Sequence, residues 1–230
     1  MATSCALPAD RQPVRRILVI NPNTNAAVTN LVRLAADGLD LPGTAVQVVN
    51  PASGPFSIES TADREAAVPH VIALIRDSRQ EQYDACVLAC FDDIALVEAR
   101  ALLAVPVIGT CEAGIAAARA QAHRFTIITT VHSAIPTIEG LLDRYDAKGI
   151  CRVRAAGIGV AAAASTAGET QARIEQTIRL AVAEDGAEAI LLASGGLTGR
   201  AGLLSERFGL PVIDGVMAAI EMAQRRLMGV

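Results

Sequence analysis

Short apolar runs rich in β-branched residues alternate along this chain with longer stretches whose apolar residues recur at helical spacing. The runs fall at residues 17–20, 46–49, 85–89, 105–108, 125–128, 151–154, 189–192 and 210–213. Amphipathic segments such as 62–79 and 169–184 lie between them. Strand and helix alternating in this way predict an α/β fold with parallel sheets, because parallel neighbours need a crossover element between them. The runs give way to small or polar residues at 21–25, 90–93, 109–111, 129–133, 194–198 and 214–215. Ligands of parallel sheets sit beyond the carboxyl ends of the strands, so these loops are expected to converge on one cleft.

The pattern also repeats. "RRILVINPNTNAAVTNLV" from Arg15 aligns with "HRFTIITTVHSAIPTIEG" from His123, and "YDACVLACFDD" from Tyr83 aligns with "AEAILLASGGL" from Ala187. The second alignment pairs Cys90 with Ser194. A duplicated unit predicts two pseudosymmetric lobes, each a four-stranded parallel sheet flanked by helices, with the site in the cleft between them. Residues 15–110 and 212–230 form the expected first lobe, 111–211 the second, and 1–14 a flexible tail.

Composition narrows the function classes. The chain has 230 residues, 52% of them hydrophobic, which is enough for a substantial core. Its 20 basic and 24 acidic residues are scattered, so neither a nucleic-acid footprint nor a polybasic membrane patch is expected. The longest uncharged stretches, such as 155–168, are rich in Ala and Gly and fall short of the roughly 18 apolar residues of a membrane span. "MATSCALPADRQPV" lacks the basic start and apolar core of a secretory signal. Five cysteines, Cys5, Cys86, Cys90, Cys111 and Cys151, fit reduced thiols in the cytoplasm better than a disulfide framework.

Cys90 has two readings. Free cysteines commonly pack as small hydrophobes. Between a strand end and a helix start, however, the positive end of the helix dipole would lower its pKa from about 8.5 toward neutrality and make it a base or nucleophile. Its place beyond "VLA" favours the second reading, since a packing cysteine sits inside the strand as Cys86 does. Cys111 is read as packing near the cleft rim. Metal binding is not expected: on a strand Cys86 and Cys90 would stand about 13 Å apart, and His70, His123 and His132 lack ligand spacing. His132 follows a strand end, from which it could reach the cleft, although a surface position is the commoner case. "SGGLTG" is not a dinucleotide loop and no phosphate loop is present, so no cofactor is expected. Adjacent Asp92 and Asp93 read as helix caps and dipole partners before acid–base groups. Asn25 should cap a helix, with Asn21 or Asn23 facing ligand.

"VINPNTN", "SGPFSIES", "LACFDD" and "GLPVIDGV", in that order, resemble the hydantoin and allantoin racemase branch of the aspartate/glutamate racemase superfamily, from about Arg15 to the C-terminus. The resemblance implies two α/β lobes, no cofactor, a homo-oligomer, and one thiol per lobe working on opposite faces of an α-carbon. Cys90 is then the first-lobe base. Ser194 stands where the second cysteine is expected. Amino-acid racemases of the superfamily follow their cysteines with Asn-Thr and Thr-His, groups suited to a free carboxylate and amine; here Phe91 and Gly195 follow instead. A cyclic ureide such as a 5-substituted hydantoin suits the more apolar pocket, with Asn21 or Thr130 and backbone N–H groups holding the developing enolate oxygen. The implied substrate-binding set is Asn21, Asn23, Ile58, Phe91, Asp92, Thr110, Thr129, Thr130, Gly195 and Gly196. Ser194 leaves three readings open: an engineered replacement in a racemase, a natural one-base decarboxylase or isomerase, or a non-catalytic small-ligand binding protein.

Overall fold

The computed structural model describes residues 14–165 and 168–229. Apart from Val14, the expected tail with its Cys5 lies outside the described residues. The first part of the chain runs β1 (Arg15–Ile20), α1 (Ala26–Asp37), β2 (Thr44–Val49), α2 (Thr61–Ser78), β3 (Ala85–Leu88), α3 (Leu96–Leu102), β4 (Val107–Gly109) and α4 (Thr110–Arg119). The second runs β5 (Phe125–Thr129), α5 (Ile135–Arg144), β6 (Cys151–Ala155), α6 (Val160–Ala163), α7 (Gly168–Asp185), β7 (Ala189–Leu192), α8 (Ala201–Phe208), β8 (Val212–Asp214) and α9 (Gly215–Met228). Two four-stranded sheets result, in the orders β2-β1-β3-β4 and β6-β5-β7-β8, with every pairing parallel. The shared order is the duplication read from the sequence.

Both faces of each sheet are covered, which is why the strands read as unbroken apolar runs and not as alternating ones. Ile17 and Val19 of β1 and Val87 of β3 pack on one face with Val32 of α1 and Val216 and Ile220 of α9. Their neighbours Leu18, Ile20 and Leu88 face the other way, against Ala67, Val71 and Ile75 of α2. In the second sheet Phe125, Ile127 and Leu191 meet Ile115 of α4 and Ile138 of α5, while Ile128, Ile190 and Leu192 meet Ile174 and Ile178 of α7. Burying one such side chain contributes roughly 1.5–3 kcal/mol, so the continuous runs supply the bulk of each core.

Helices α4 and α9 pack on one another, and each packs on the core of the sheet it does not directly follow: α4 comes after β4 but joins the second core, and α9 comes after β8 but joins the first. The switch happens at Asp214, whose side chain accepts from the N–H groups of Val216 (3.0 Å), Met217 (3.3 Å) and Gly199 (2.8 Å). A cap of this kind contributes about 1–2 kcal/mol and ties the exit of β8 to the start of α9. The expected lobe boundaries put residues 212–214 in the first lobe, but β8 pairs with β7 in the second sheet. Only α9 returns to the first, because the backbone changes partners between a strand and the helix that follows it. Among the described residues no helix is long and apolar enough to cross a membrane.

Candidate active site

The site begins where β1, β3, β5 and β7 end. Asn25 caps α1 as expected, accepting from the Ala27 N–H at 3.0 Å. The preceding turn ties itself together: Asn21 Nδ2 donates to Asn23 Oδ1 and to Thr29 Oγ1, both at 3.0 Å, and the Asn25 N–H donates to Asn23 Oδ1 at 2.9 Å. Asn21 therefore spends its amide on shaping the turn. Asn23 keeps its own amide N–H groups available and lines a small cavity at these strand ends.

Cys90 and Ser194 occupy corresponding positions, just past Leu88 of β3 and Leu192 of β7, and both line this cavity. Asn21, Asn23, Ile58, Phe91, Asp92, Thr129, Thr130 and Gly195 line it with them. Thr110 and Gly196 do not. The Thr110 hydroxyl donates to the Leu88 carbonyl at 2.6 Å, tying α4 to β3 inside the core. Gly196 is buried against α6, where a Cβ would come within 2.7 Å of the Val160 carbonyl oxygen, so its lack of a side chain serves packing. His132 and Cys111 are also absent from the wall, and Cys111 is fully buried in the second core. Sequence reasoning misses Pro22, Val28, Ala89, Val131, Ala134, Val160 and Ala193, much of the apolar wall. Their spacing gives no sign of which face they present.

The electrostatics of Cys90 differ from expectation. The chain turns immediately after it, with the Asp93 N–H donating to the Cys90 carbonyl at 3.0 Å, and the next helix starts only at Leu96. The helix start expected directly after the thiol is therefore not there. Burial pushes its pKa well above the ordinary value, and the charges of Asp92 and Asp93 push further in the same direction. The Asp92 backbone N–H and the Arg64 guanidinium oppose them. Ser194 begins a short 3₁₀ turn, its Oγ accepting from the Gly196 N–H at 3.3 Å.

Neither aspartate caps the helix that follows it; Ala95 stands at that position. Asp92 instead pairs with Arg64 of α2, Nε to Oδ2 at 2.5 Å. Asp93 reaches another helix, accepting from the Cys111 N–H in the first turn of α4 at 3.0 Å and from the Tyr145 hydroxyl at 2.6 Å. Burial raises the Asp93 carboxyl from 3.8 to about 6, against the pull of these two donors. The folded state then holds a proton that the unfolded chain has already released between those values, so this group's contribution to stability declines as pH rises from about 4 through 6. At about 1.4 kcal/mol per pH unit, the decline amounts to about 3 kcal/mol. Asp93→Asn is therefore expected to flatten the profile: in urea unfolding, stability relative to the parent should rise by that order between pH 4 and 7. Parallel profiles would remove Asp93 as the titrating group. Asn suits the position, where φ is +49°.

Comparison with known proteins places this geometry. The model of the Asp/Glu/Hydantoin racemase family matches residues 17–223. A hydantoin racemase of Rhizobium meliloti is 40% identical over 212 residues, covering 92% of this chain and 88% of that protein. Two solved structures superpose closely. An allantoin racemase from Klebsiella pneumoniae has a TM-score of 0.90 at 37% identity, covering 94% of this chain and 89% of that one. An allantoin racemase from Pseudomonas fluorescens has a TM-score of 0.88 at 31% identity, covering 94% and 92%. With the matched residues spanning both sheets and the cavity at their strand ends, the chain belongs to the Asp/Glu/Hydantoin racemase family and is an isomerase of the racemase type.

Proposed function

We propose that the chain acts without a cofactor on a cyclic ureide, a 5-substituted hydantoin or allantoin, with Cys90 as the thiol acid–base on one face of the reacting carbon and Ser194 at the second position. The observation that carries this reading is the placement of Cys90 and Ser194 at corresponding strand ends on the wall of one cavity. The choice of ligand follows from the rest of the wall. Among the described lining residues the one carboxylate, Asp92, is already paired with Arg64, and the remaining polar groups are amides and hydroxyls of Asn21, Asn23, Thr129, Thr130 and Ser194. A free carboxylate would find no unpaired cation there; a neutral ring with carbonyl and N–H edges finds donors and acceptors.

Chemically, Cys90 as thiolate takes the proton from the carbon beside the ring carbonyl, and the charge that develops on the carbonyl oxygen is held by the Asn23 amide or by the hydroxyl of Thr129 or Thr130. Inversion needs a proton delivered to the opposite face. A serine hydroxyl is far less acidic than a thiol, and the carbanion should mostly recover its proton from Cys90, on the side it left. In deuterated water one enantiomer of a 5-substituted hydantoin is therefore expected to exchange its α-hydrogen with little loss of optical rotation, while the other exchanges slowly. Because burial holds the thiol above its ordinary value, the exchange rate should climb about tenfold per pH unit through neutrality, after subtraction of spontaneous exchange. Equal exchange of both enantiomers would reveal a second base; no exchange above background would favour a one-cysteine decarboxylase or a binding protein.

A further inference from the structure

Arg64 lies on α2, far along the chain from Cys90, and no motif singles it out. Its guanidinium nevertheless makes two contacts: Nε donates to Asp92 Oδ2 at 2.5 Å, and Nη2 donates to the Ser133 carbonyl of the second half at 3.3 Å. The ion pair is largely shielded, the two side chains being 12% and 9% exposed. Asp92 lines the cavity beside Cys90. Further links between the two halves lie close in sequence to these residues: the Ser133 hydroxyl donates to the Glu59 carbonyl, and the Val160 N–H donates to Glu59 Oε1 at 2.8 Å. We propose that Arg64 is a positioning residue for Cys90: it holds Asp92 as a paired carboxylate at the cavity wall and so sets the charge that the neighbouring thiol faces.

Among the described residues, Asp92 and Asp93 oppose a thiolate and Arg64 favours it, while Thr130 and Ser194, which line the cavity from the second half, are uncharged. Asp93 has its own partners in Tyr145 and the Cys111 N–H, with Glu112 and Arg100 behind it. Arg64 also lies near Asp63 on its own helix, whose carboxylate is held by Ser60. Arg64 is therefore the cation that offsets Asp92. In a shielded site an unpaired carboxylate acts on a near neighbour through little solvent, so its loss of a partner is felt by the thiol.

Alkylation of Cys90 by iodoacetamide, resolved site by site with peptide mass spectrometry at pH 9, reads the thiolate fraction without any substrate. This pH lies about five units above the ordinary aspartate value, so Asp92 is expected to stay ionised when its partner is removed. Arg64→Gln is expected to slow alkylation of Cys90 about tenfold, corresponding to one pH unit in thiol ionisation. Arg64→Lys keeps the charge and should stay within about threefold of the parent, though it gives up the second contact, to Ser133. Asp92→Asn should speed alkylation about tenfold, and the double variant should follow it. The directions carry the test: both single changes break the same ion pair, so a merely structural role would move them together, whereas the electrostatic role moves them apart. Arg64→Gln alkylated as fast as the parent or faster overturns the proposal, and so does Asp92→Asn alkylated no faster. If Arg64→Gln fails to fold, the Asp92→Asn and Arg64→Lys results decide alone. The proposal rests on Cys90 being the working thiol, but because the probe needs no turnover, a failed exchange assay and a failed alkylation series point to different errors.

Discussion

With Ser194 replaced by cysteine, inversion of a 5-substituted hydantoin is expected to accelerate about 100-fold or more, the scale of a well-placed general acid. The expectation follows from the duplicated fold. Ser194 ends β7 as Cys90 ends β3, and the two line one cavity, so a thiol at 194 would be the counterpart of the existing one. The substitution changes one atom in a half-buried side chain, and what the parent loses is the 3.3 Å contact in which the Ser194 oxygen accepts from the Gly196 N–H. Sulfur is a weak acceptor and gives that contact up, but at 3.3 Å it is already long, so the turn loses little while the opposite face of the substrate gains a donor. In deuterated water, exchange and loss of optical rotation should then proceed at similar rates, and both enantiomers should exchange. Chiral chromatography of the recovered hydantoin separates inversion from exchange. Inversion left at the parent rate would mean that Ser194 does not face the reacting carbon.

Cys90→Ser in the parent chain is expected to reduce exchange at least about 1,000-fold, to the spontaneous background, because no competent base then faces the substrate. The change is nearly isosteric at a partly exposed position beyond the strand, so the melting temperature should move little and the loss should be one of chemistry. The combined Cys90→Ser and Ser194→Cys protein offers a stricter check. If the two positions attack opposite faces, the swapped chain should exchange the enantiomer that the parent leaves alone. The same enantiomer exchanging in both proteins would break the pseudosymmetric assignment, and appreciable exchange by Cys90→Ser alone would move the base elsewhere in the cavity.

Much of this architecture is written locally. Unbroken apolar runs predict strands covered on both faces, and residues 17–20, 85–88, 125–128 and 189–192 are found in the central strands of two parallel sheets. The internal repeat predicts that the sheets share one order, and it aligns Cys90 with Ser194. Asn25 announces itself as a cap because a cap is satisfied by an N–H two residues away. The loops at the carboxyl ends of the strands converge because parallel strands bring their ends to one side, so most of the expected wall is found there.

Features that depend on neighbours in the chain or on the periodicity of a strand are legible before folding: two α/β units, their shared strand order, and a thiol and a hydroxyl at matching strand ends. The remainder depends on distance through space. Arg64 meets Asp92, and Tyr145 meets Asp93, across 28 and 52 positions of sequence. Thr110 and Gly196 fall in segments expected to converge on the site, yet one turns its hydroxyl to Leu88 and the other packs on α6. Strand β8 stays with the second sheet while α9 crosses to the first. Most instructive is the thiol itself, for which the chain suggests activation by a helix end and the fold supplies burial beside two carboxylates, relieved by one arginine. The ionisation of a group is a sum over desolvation and every nearby charge, and neither quantity exists until the chain has folded.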